Sequence, residues 1–600
     1  MKFFSPIEKT DTLFVLFGLS FILFGWFVFL LALSDLFLFP LIVSGAALVL
    51  AIVLIISTKV ILRATPDFKI AVLISLFMSV LIGSLSVPTL FSGRDQGSIA
   101  EAATRLAHNG HLAFSTAASE IFFQIYGEGT ALNFPGFAYT KTGDLITQFP
   151  LGYTAWLASF VSLFGVHGLV IGNSILLFLF LTTLYALLRV FVHPFYASAG
   201  LALAIFSFLP TWFAKVTLSE NLALFLFVFL VWNLILFLQE GKFISYAGIL
   251  LSGGLFAFTR IEGFAFLALA VMVLFVSKPT RHIWTTYPWK SIVLPGILFT
   301  FIFLRDFFIN LPYYKMIGKA LEKFLRQSGS GSVTGDLAST GGPFTLGSVF
   351  FLYGLLALFA FGVFGILIFI KEKRLKAFLP ALVALPTFVY LFDPNISLDH
   401  PWMLRRYLFS LFPALLFSAV VGIALLFAKE KMFPIEMPQG KRLFFVSMIF
   451  LGLIALEYPA FSYGLPFAEN QGLDKQIAAF SQEFSDTDLV LVDRNATGDG
   501  FAMLTGPAQY LSGKNMAYFF NPDDLARINL TPFTHTYLLV PDGDQARYVS
   551  VFGDRLVFKK TVTFSSIQLE STSLENNLSK TPHLPEKVLK ETRNDLFQIY

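Results

Sequence analysis

A carboxylate held at the edge of an apolar medium is a candidate general base, because partial desolvation raises its proton affinity. Asp95 fits that description. In FSGRDQGSIAEAATRLAHNGHL it follows the end of an apolar run and opens a stretch with Ile99, Ala102, Ala103 and Leu106 on one helical face. The same position suits a helix N-cap or an interface marker, and spacing alone does not choose between them. Glu220, in AKVTLSENLA, falls at the same side of the membrane in the topology set out below, so two carboxylates could converge. Ser219 or Glu220 equally suits the cap of the apolar run that follows.

Arg260 and Glu262, in AFTRIEGFAF, interrupt an apolar run from Phe243 to Val276 that is too long for one crossing and short for two. A charge facing lipid there costs several kcal/mol, so both residues are expected to face a cavity or a partner. Arg260 suits a structural pair with Glu262 or, through its planar fork, the reception of a phosphate. Arg405 and Arg406, in LDHPWMLRRYLFSLFPALLF, sit at an outer span end, where the positive-inside rule disfavours them. Snorkelling accounts for one exposed arginine, and two beside Tyr407 suit a lipid head group. His108 and His111 are three apart and His400 is alone, with no further ligand type fixed nearby, so no zinc site is expected and no metal ligand is assigned. GxxxxGK, GxSxG and HExxH motifs do not occur, which removes support for nucleotide hydrolysis, serine hydrolysis and that class of zinc protease. Asn395, Asn495 and Asn577 begin N-x-S/T strings too common to interpret.

Positioning these residues is the work of a membrane scaffold. The chain is 56% hydrophobic and 13% charged, against roughly a quarter charged in a soluble domain. A water-soluble fold is excluded, and apolar runs of span length recur from Thr12 to Phe461. Open sheets are not expected there, because lipid cannot pair their edges. The net charge of +4 is dispersed in short clusters that read as topology signals and imply no nucleic-acid partner. With no cysteine, extracytoplasmic parts must be held by their own cores. The first apolar run, Thr12–Leu33, reads as a retained anchor, too long for a signal-peptide core.

Basic clusters at 59–69, 277–290, 371–376 and 429–442 are the natural cytoplasmic loops. Alternation around them gives about 13 crossings with a cytoplasmic N-terminus and an external C-terminus. The 149–164 run is excluded from that count and expected to lie at the outer surface or dip part-way in. The expected organisation is an extra N-terminal hairpin over 1–69, a transmembrane core over 70–461 with a first extracytoplasmic loop at 92–148, and a small extracytoplasmic α/β domain over 462–600. In that domain LDKQIAAFSQEF predicts an amphipathic helix, DLVLVD and TYLLV predict buried strands, and RLVFKKTVTFSSIQLE predicts a strand or hairpin. The tail from Ser571 is expected to be loose, as is the SGSGSVTGDLASTGG loop at 328–342.

In this order the features resemble the GT-C superfamily of membrane glycosyltransferases, in particular the branch of protein O-mannosyltransferases and lipid A aminoarabinose transferases, over residues 70–430. RDQGSIAEAATRLAHNGHL resembles their first-loop acidic motif and its A-x-x-L-x-x-x-G helix, and TQFPLGYTAWLASFVSLFG their aromatic-Pro-Pro stretch. TLSENLALFL resembles their second acidic loop, GGLFAFTRIEG their glycine-rich helix ending in a basic residue, and RRYLFSLFPALL their late Arg-Tyr segment. The sequence departs in having Gln96 where many members have Glu, one proline in FPLG, and two additional N-terminal spans.

The resemblance implies a mainly α, polytopic GT-C type bundle in the plasma or inner membrane. It implies inverting transfer of a sugar from a polyprenyl-phosphate-linked donor to a glycan, lipid or protein acceptor at the extracytoplasmic face. Asp95 would deprotonate the acceptor hydroxyl, and Arg260 with Arg405 or Arg406 would stabilise the leaving phosphate. Glu220 would orient the acceptor or, as in metal-dependent members, help to hold a divalent metal ion; no other cofactor is implied. Two other classes fit the composition: a transporter or flippase of lipid-linked sugars, which commonly shows internal repeats not found here, and a non-catalytic cell-envelope assembly protein, which would tolerate loss of Asp95.

Overall fold

The computed structural model describes residues 9–329, 343–392, 399–428, 438–498, 500, 502–570 and 583–600. The loop at 328–342 lies outside these residues from position 330, as do 429–437 of the last basic cluster, Asn395, and residues 571–582 with Asn577. Among the described residues, seven helices are long and apolar enough to cross a membrane, or ten if each of three bent helix pairs is one span. The chain is therefore a mostly helical, multi-pass membrane protein. About 13 crossings are expected from the sequence, and the helices Pro194–Phe206, Phe243–Ala257 and Leu375–Leu391 are apolar but too short to meet that length by themselves.

Helices α1 (Lys9–Leu33) and α2 (Phe39–Arg63) form the N-terminal hairpin, and α3 (Pro66–Ser84) leads into a two-residue strand β1 (Ser92–Gly93). The first long loop then folds as α4 (Asp95–Asn109), α5 (Ala117–Tyr126) and a small sheet of β2 (Gly129–Thr130), β3 (Phe137–Tyr139) and β4 (Leu145–Thr147). Next come α6 (Leu151–Phe164), α7 (Gly168–Arg189), α8 (Pro194–Phe206), α9 (Phe208–Phe213), α10 (Glu220–Glu240), α11 (Phe243–Ala257) and α12 (Glu262–Val276). A peripheral group follows: α13 (Lys278–Thr286), α14 (Leu294–Ile309), α15 (Leu311–Gly329) and α16 (Pro343–Leu352). The membrane part closes with α17 (Leu355–Lys371), α18 (Leu375–Ala384), the short α19 (Arg405–Leu408), α20 (Leu411–Ala428) and α21 (Gln439–Gly464).

Apolarity all round a helix means burial on all sides, and α10 behaves so: every residue from 220 to 237 is buried. The outer helices instead expose large apolar side chains, including Leu54 and Ile55 on α2, Phe77 on α3, Phe301 and Phe308 on α14, and Phe444 and Leu451 on α21. Such a surface is favourable against lipid and unfavourable against water. The helix at 149–164, expected to lie at the outer surface or dip part-way in, is packed within the protein. Residues 151–161 of α6 are all buried, and α6 folds back on the start of α7 through Trp156 Nε1 to the Gly172 carbonyl at 3.3 Å and Tyr153 Oη to Asn173 Oδ1 at 2.6 Å. Gly152, Trp156 and the small Ala155 and Ala158 give this helix faces that pack closely against protein, a feature that length and hydropathy do not register.

The C-terminal domain contains α22 (Leu473–Ser481), β5 (Leu489–Val492), β6 (Ala502–Met503), α23 (Thr505–Tyr510), β7 (Asn515–Tyr518), β8 (Thr536–Pro541), α24 (Gln545–Phe552), β9 (Leu556–Leu569) and β10 (Lys587–Ile599). Its five-stranded sheet has the order β7-β5-β8-β10-β9, parallel among the first three and antiparallel beyond. The predicted α22, β5, β8 and β9 are all present. The tail is not loose over Lys587–Ile599, because β10 pairs with both β8 and β9. Its polar side chains alternate with Leu596, Ile599 and other inward residues, so the strand is held by backbone pairing that a polar composition conceals. Phe114, Phe122, Phe134 and Phe137 of the first loop share one hydrophobic core with Leu489, Leu491, Phe519 and Leu538 of this domain.

Candidate active site

Side chains from four separated parts of the chain meet in one continuous ionic chain. Asp95 is the first residue of α4, and the cap position is occupied by Arg94, whose extended backbone (φ −111°, ψ 161°) makes no side-chain cap bond. The Asp95 carboxylate is thereby released from capping and lies 2.7 Å from Arg405 Nη1. Glu220 is the first residue of α10, and Ser219 before it makes no capping bond either. The Ser219 hydroxyl accepts instead from Arg260 Nη1 at 3.2 Å and donates to Glu220 Oε2 at 3.3 Å. Arg405 Nε lies 3.9 Å from Glu220 Oε1, which carries the charge sequence from Asp95 inward.

Arg260 forms the centre. Its Nη1 lies 2.7 Å from Glu220 Oε1, its Nη2 3.0 Å from Glu262 Oε1, and its Nε donates to Glu262 Oε2 at 3.2 Å. The guanidinium also lies over the Phe409 ring, 4.4 Å from its centroid. Glu262 opens α12, receives the Tyr390 hydroxyl at 2.7 Å, and lies 3.6 Å from Arg406 Nη1. Arg406 in turn stands over the Tyr390 ring at 5.5 Å, and Tyr407 donates to the Tyr390 carbonyl at 2.7 Å. Three carboxylates thus open three helices, where the positive end of each helix dipole favours negative charge. Guanidinium groups beside helix N-termini are suited to an anion such as a phosphate.

Burial separates the members. The Asp95 side chain is 43% exposed, whereas those of Glu220 and Arg260 are 4% and 8% exposed. Of the three helix-opening carboxylates, Asp95 is the accessible one. All donors of Arg260 point at Glu220, Glu262 or Ser219, but Nε of Arg405 and Nε of Arg406 are buried without a hydrogen-bond acceptor. The pairing of Arg260 with Glu262, one of its two expected roles, is present. Glu220 is neutralised by guanidinium groups on two sides, and among the described residues no cluster of three or more His, Asp or Glu suits a metal ion. These residues do not fit a divalent cation, whose charge the adjacent arginines would oppose.

Sequence reasoning missed Arg94, Asp399 and Tyr390. Arg94 Nη2 donates to Asp399 Oδ2 at 3.2 Å and its guanidinium lies 4.5 Å from the Trp402 ring centroid, so α4 is pinned beside α19. Adjacency to Asp95 was the available signal for Arg94. Tyr390 comes from a 3₁₀ helix, Leu385–Leu391, whose apolar sequence carries no motif. His400, expected to be without a metal role, is buried, with Nδ1 3.0 Å from the Tyr353 hydroxyl.

No family model matches the sequence, and no curated protein matches it. The fold is similar to solved structures of ArnT from Cupriavidus metallidurans. In the apo state the likeness covers 86% of this chain and 96% of that one, at 11% identity and a TM-score of 0.46. With ArnT bound to undecaprenyl phosphate it covers 89% and 98%, at 11% identity and a TM-score of 0.44.

Proposed function

We propose that the protein is an inverting glycosyltransferase of GT-C type that moves a sugar from a polyprenyl-phosphate donor to an acceptor hydroxyl at the extracytoplasmic face. The observation that carries this reading is the contact of an accessible carboxylate, Asp95, with Arg405 at 2.7 Å, at the end of a buried chain of arginines and carboxylates. A base and phosphate-binding groups are what such a reaction needs in one place. The sequence resemblance over 70–430 points to the same chemistry.

In this mechanism the donor phosphate engages Arg405 and Arg406 through their unsatisfied donors, and Asp95 exchanges its guanidinium partner for the acceptor hydroxyl. Asp95 takes the proton as the hydroxyl oxygen attacks the anomeric carbon. The bond from that carbon to the phosphate oxygen breaks, and the polyprenyl phosphate leaves with the electron pair, its charge met by Arg405 and Arg406. Arg260 and Glu220 hold those arginines in place rather than meeting substrate. No metal takes part in this scheme.

Asp95→Asn tests the reading. Sugar transfer from a radiolabelled polyprenyl-phosphate sugar is expected to fall to background while expression and membrane insertion stay normal. Substantial transfer by that variant removes Asp95 from the mechanism.

A further inference from the structure

At the end of the bundle away from Asp95, the turn between α17 and α18, the far part of α20 and the segment after α7 surround a cavity of about 280 Å³. Leu425 in its wall lies about 21 Å along α20 from Leu411, the end that adjoins Arg405 and Arg406. Phe191, also in the wall, comes just after α7, whose last residue Arg189 pairs at 2.9 Å with Asp67 at the start of α3. Asp95 follows the other end of α3, so the cavity and the candidate active site lie at opposite ends of the helices. The basic clusters at 59–69 and 371–376, expected to be cytoplasmic, share the cavity's end.

The lining divides into cations and hydrocarbon. Lys373, Arg374 and Lys376 supply three positive charges, no carboxylate lines the cavity, and the other wall residues, including Phe191, Leu375 and Leu425, are all apolar. Arg374 and Lys376 are half-buried and have partners of their own, but a guanidinium carries five donors and an ammonium three, so each can take an anion as well. Lys373 is exposed and stands at φ +53°, where the turn that ends a helix ordinarily takes glycine. Its N–H donates to the Ile370 carbonyl at 3.1 Å, and that of Arg374 to the Phe369 carbonyl at 2.8 Å. Glycine would meet this geometry with less strain, so a lysine held there points to a use for its charge. Leu375, between two of the cations, is 77% exposed, and Leu367 and Ile370 on α17 are 58% and 57% exposed. A soluble anion would meet the charges and leave this hydrocarbon bare, and an uncharged lipid would do the reverse. A lipid with an anionic head group satisfies both.

We propose that this cavity binds an anionic glycerophospholipid of the adjacent leaflet, its phosphodiester against Lys373, Arg374 and Lys376 and its acyl chains against Leu375 and the apolar wall. Such a lipid bridges the α17–α18 turn to α20 and to the segment after α7. It binds these helices only in their folded arrangement, so it raises the unfolding midpoint by mass action. The binding requires no sugar transfer and involves none of the residues around Asp95.

The test uses the full chain in detergent, with native mass spectrometry for binding and thermal unfolding for stability. The probes are dioleoyl phosphatidylglycerol, dioleoyl phosphatidylcholine, undecaprenyl phosphate and inorganic phosphate. Wild type is expected to bind phosphatidylglycerol saturably, more tightly than phosphatidylcholine with the same chains, and to gain in unfolding midpoint. Lys373→Gly removes one charge and suits the turn, so its lipid-free midpoint stays equal or rises while its phosphatidylglycerol affinity falls about fivefold, the worth of one lysine at a membrane surface. Lys373→Asn, which also tolerates the turn, behaves alike. Lys59→Gln removes a charge at the same end but outside the cavity and leaves the affinity unchanged. Equal affinity for the two phospholipids, unchanged binding by both Lys373 variants, or an equal fall in Lys59→Gln overturns the proposal. So does displacement by inorganic phosphate, which makes the cavity a soluble-anion site, or tighter Lys373-dependent binding of undecaprenyl phosphate, which gives it to a polyprenyl lipid.

Discussion

At the scale of residues, the proposed function divides the arginines into those that hold and those that would meet substrate. Arg260 is enclosed by two carboxylates and a hydroxyl, so Arg260→Ala leaves Glu220 and Glu262 buried without their main partner. Losing one member of a buried ion pair costs about 3 to 5 kcal/mol, and a lowered unfolding midpoint in detergent is expected. Arg406→Ala, with a more exposed side chain and a donor to spare, is expected to keep most of the stability and to weaken polyprenyl-phosphate binding about tenfold, as a lost charge-assisted hydrogen bond would. His400 adds a pH dependence. Burial, reinforced by the charge of His583, pushes its imidazole down from 6.5 to about 4. Below pH 6.5 the unfolded chain takes up a proton that the folded chain refuses, so stability is complete above that pH and declines as pH falls toward 4, by on the order of 3 kcal/mol. His400→Gln is expected to flatten the unfolding midpoint between these two pH values.

At the scale of elements, function depends on where helices start and break. Asp95, Glu220 and Glu262 each open a helix, where acidic residues commonly act as caps. Arg94 and Ser219 occupy the cap positions instead, leaving the carboxylates to the arginines. The break between α16 and α17 bends the chain by 109° and turns on Gly354, whose φ is +75°. A Cβ there would lie 2.4 Å from the Leu456 carbonyl oxygen and 2.5 Å from the Glu457 Cα, backbone atoms of α21 that cannot yield locally. Gly354→Ala is therefore expected to lower the unfolding midpoint by separating α17 from α21, at a cost of about 1 to 3 kcal/mol.

At the scale of the whole molecule, the C-terminal domain is part of the apparatus that holds α4. β1 pairs with β6, the Tyr510 hydroxyl donates to the Leu90 carbonyl at 2.8 Å, and Arg105 links Glu101 to Gln509, each at 2.8 Å. Arg105 also lies 3.9 Å above the Phe114 ring. Arg105→Ala touches none of the proposed reacting groups. It is expected to accelerate hydrogen exchange along α4 and to lower kcat with little change in donor KM, since it loosens the helix that carries Asp95. Unchanged exchange in α4 would mean that the membrane helices hold it unaided.

The sequence by itself determined that the chain is mainly helical and crosses a membrane many times, because long apolar runs are local properties with large transfer energies. The strands β5, β8 and β9 and the helix α22 were legible for a similar reason, their periodicity being written in consecutive residues. What only the tertiary structure decided is long-range: that α6 is buried, that β10 is a paired strand, and that Asp95, Glu220, Arg260, Glu262, Arg405 and Arg406 form one chain of contacts. Each of these depends on pairing between residues far apart in sequence. Local pattern records that a charge or an edge needs a partner and carries no record of which partner it finds.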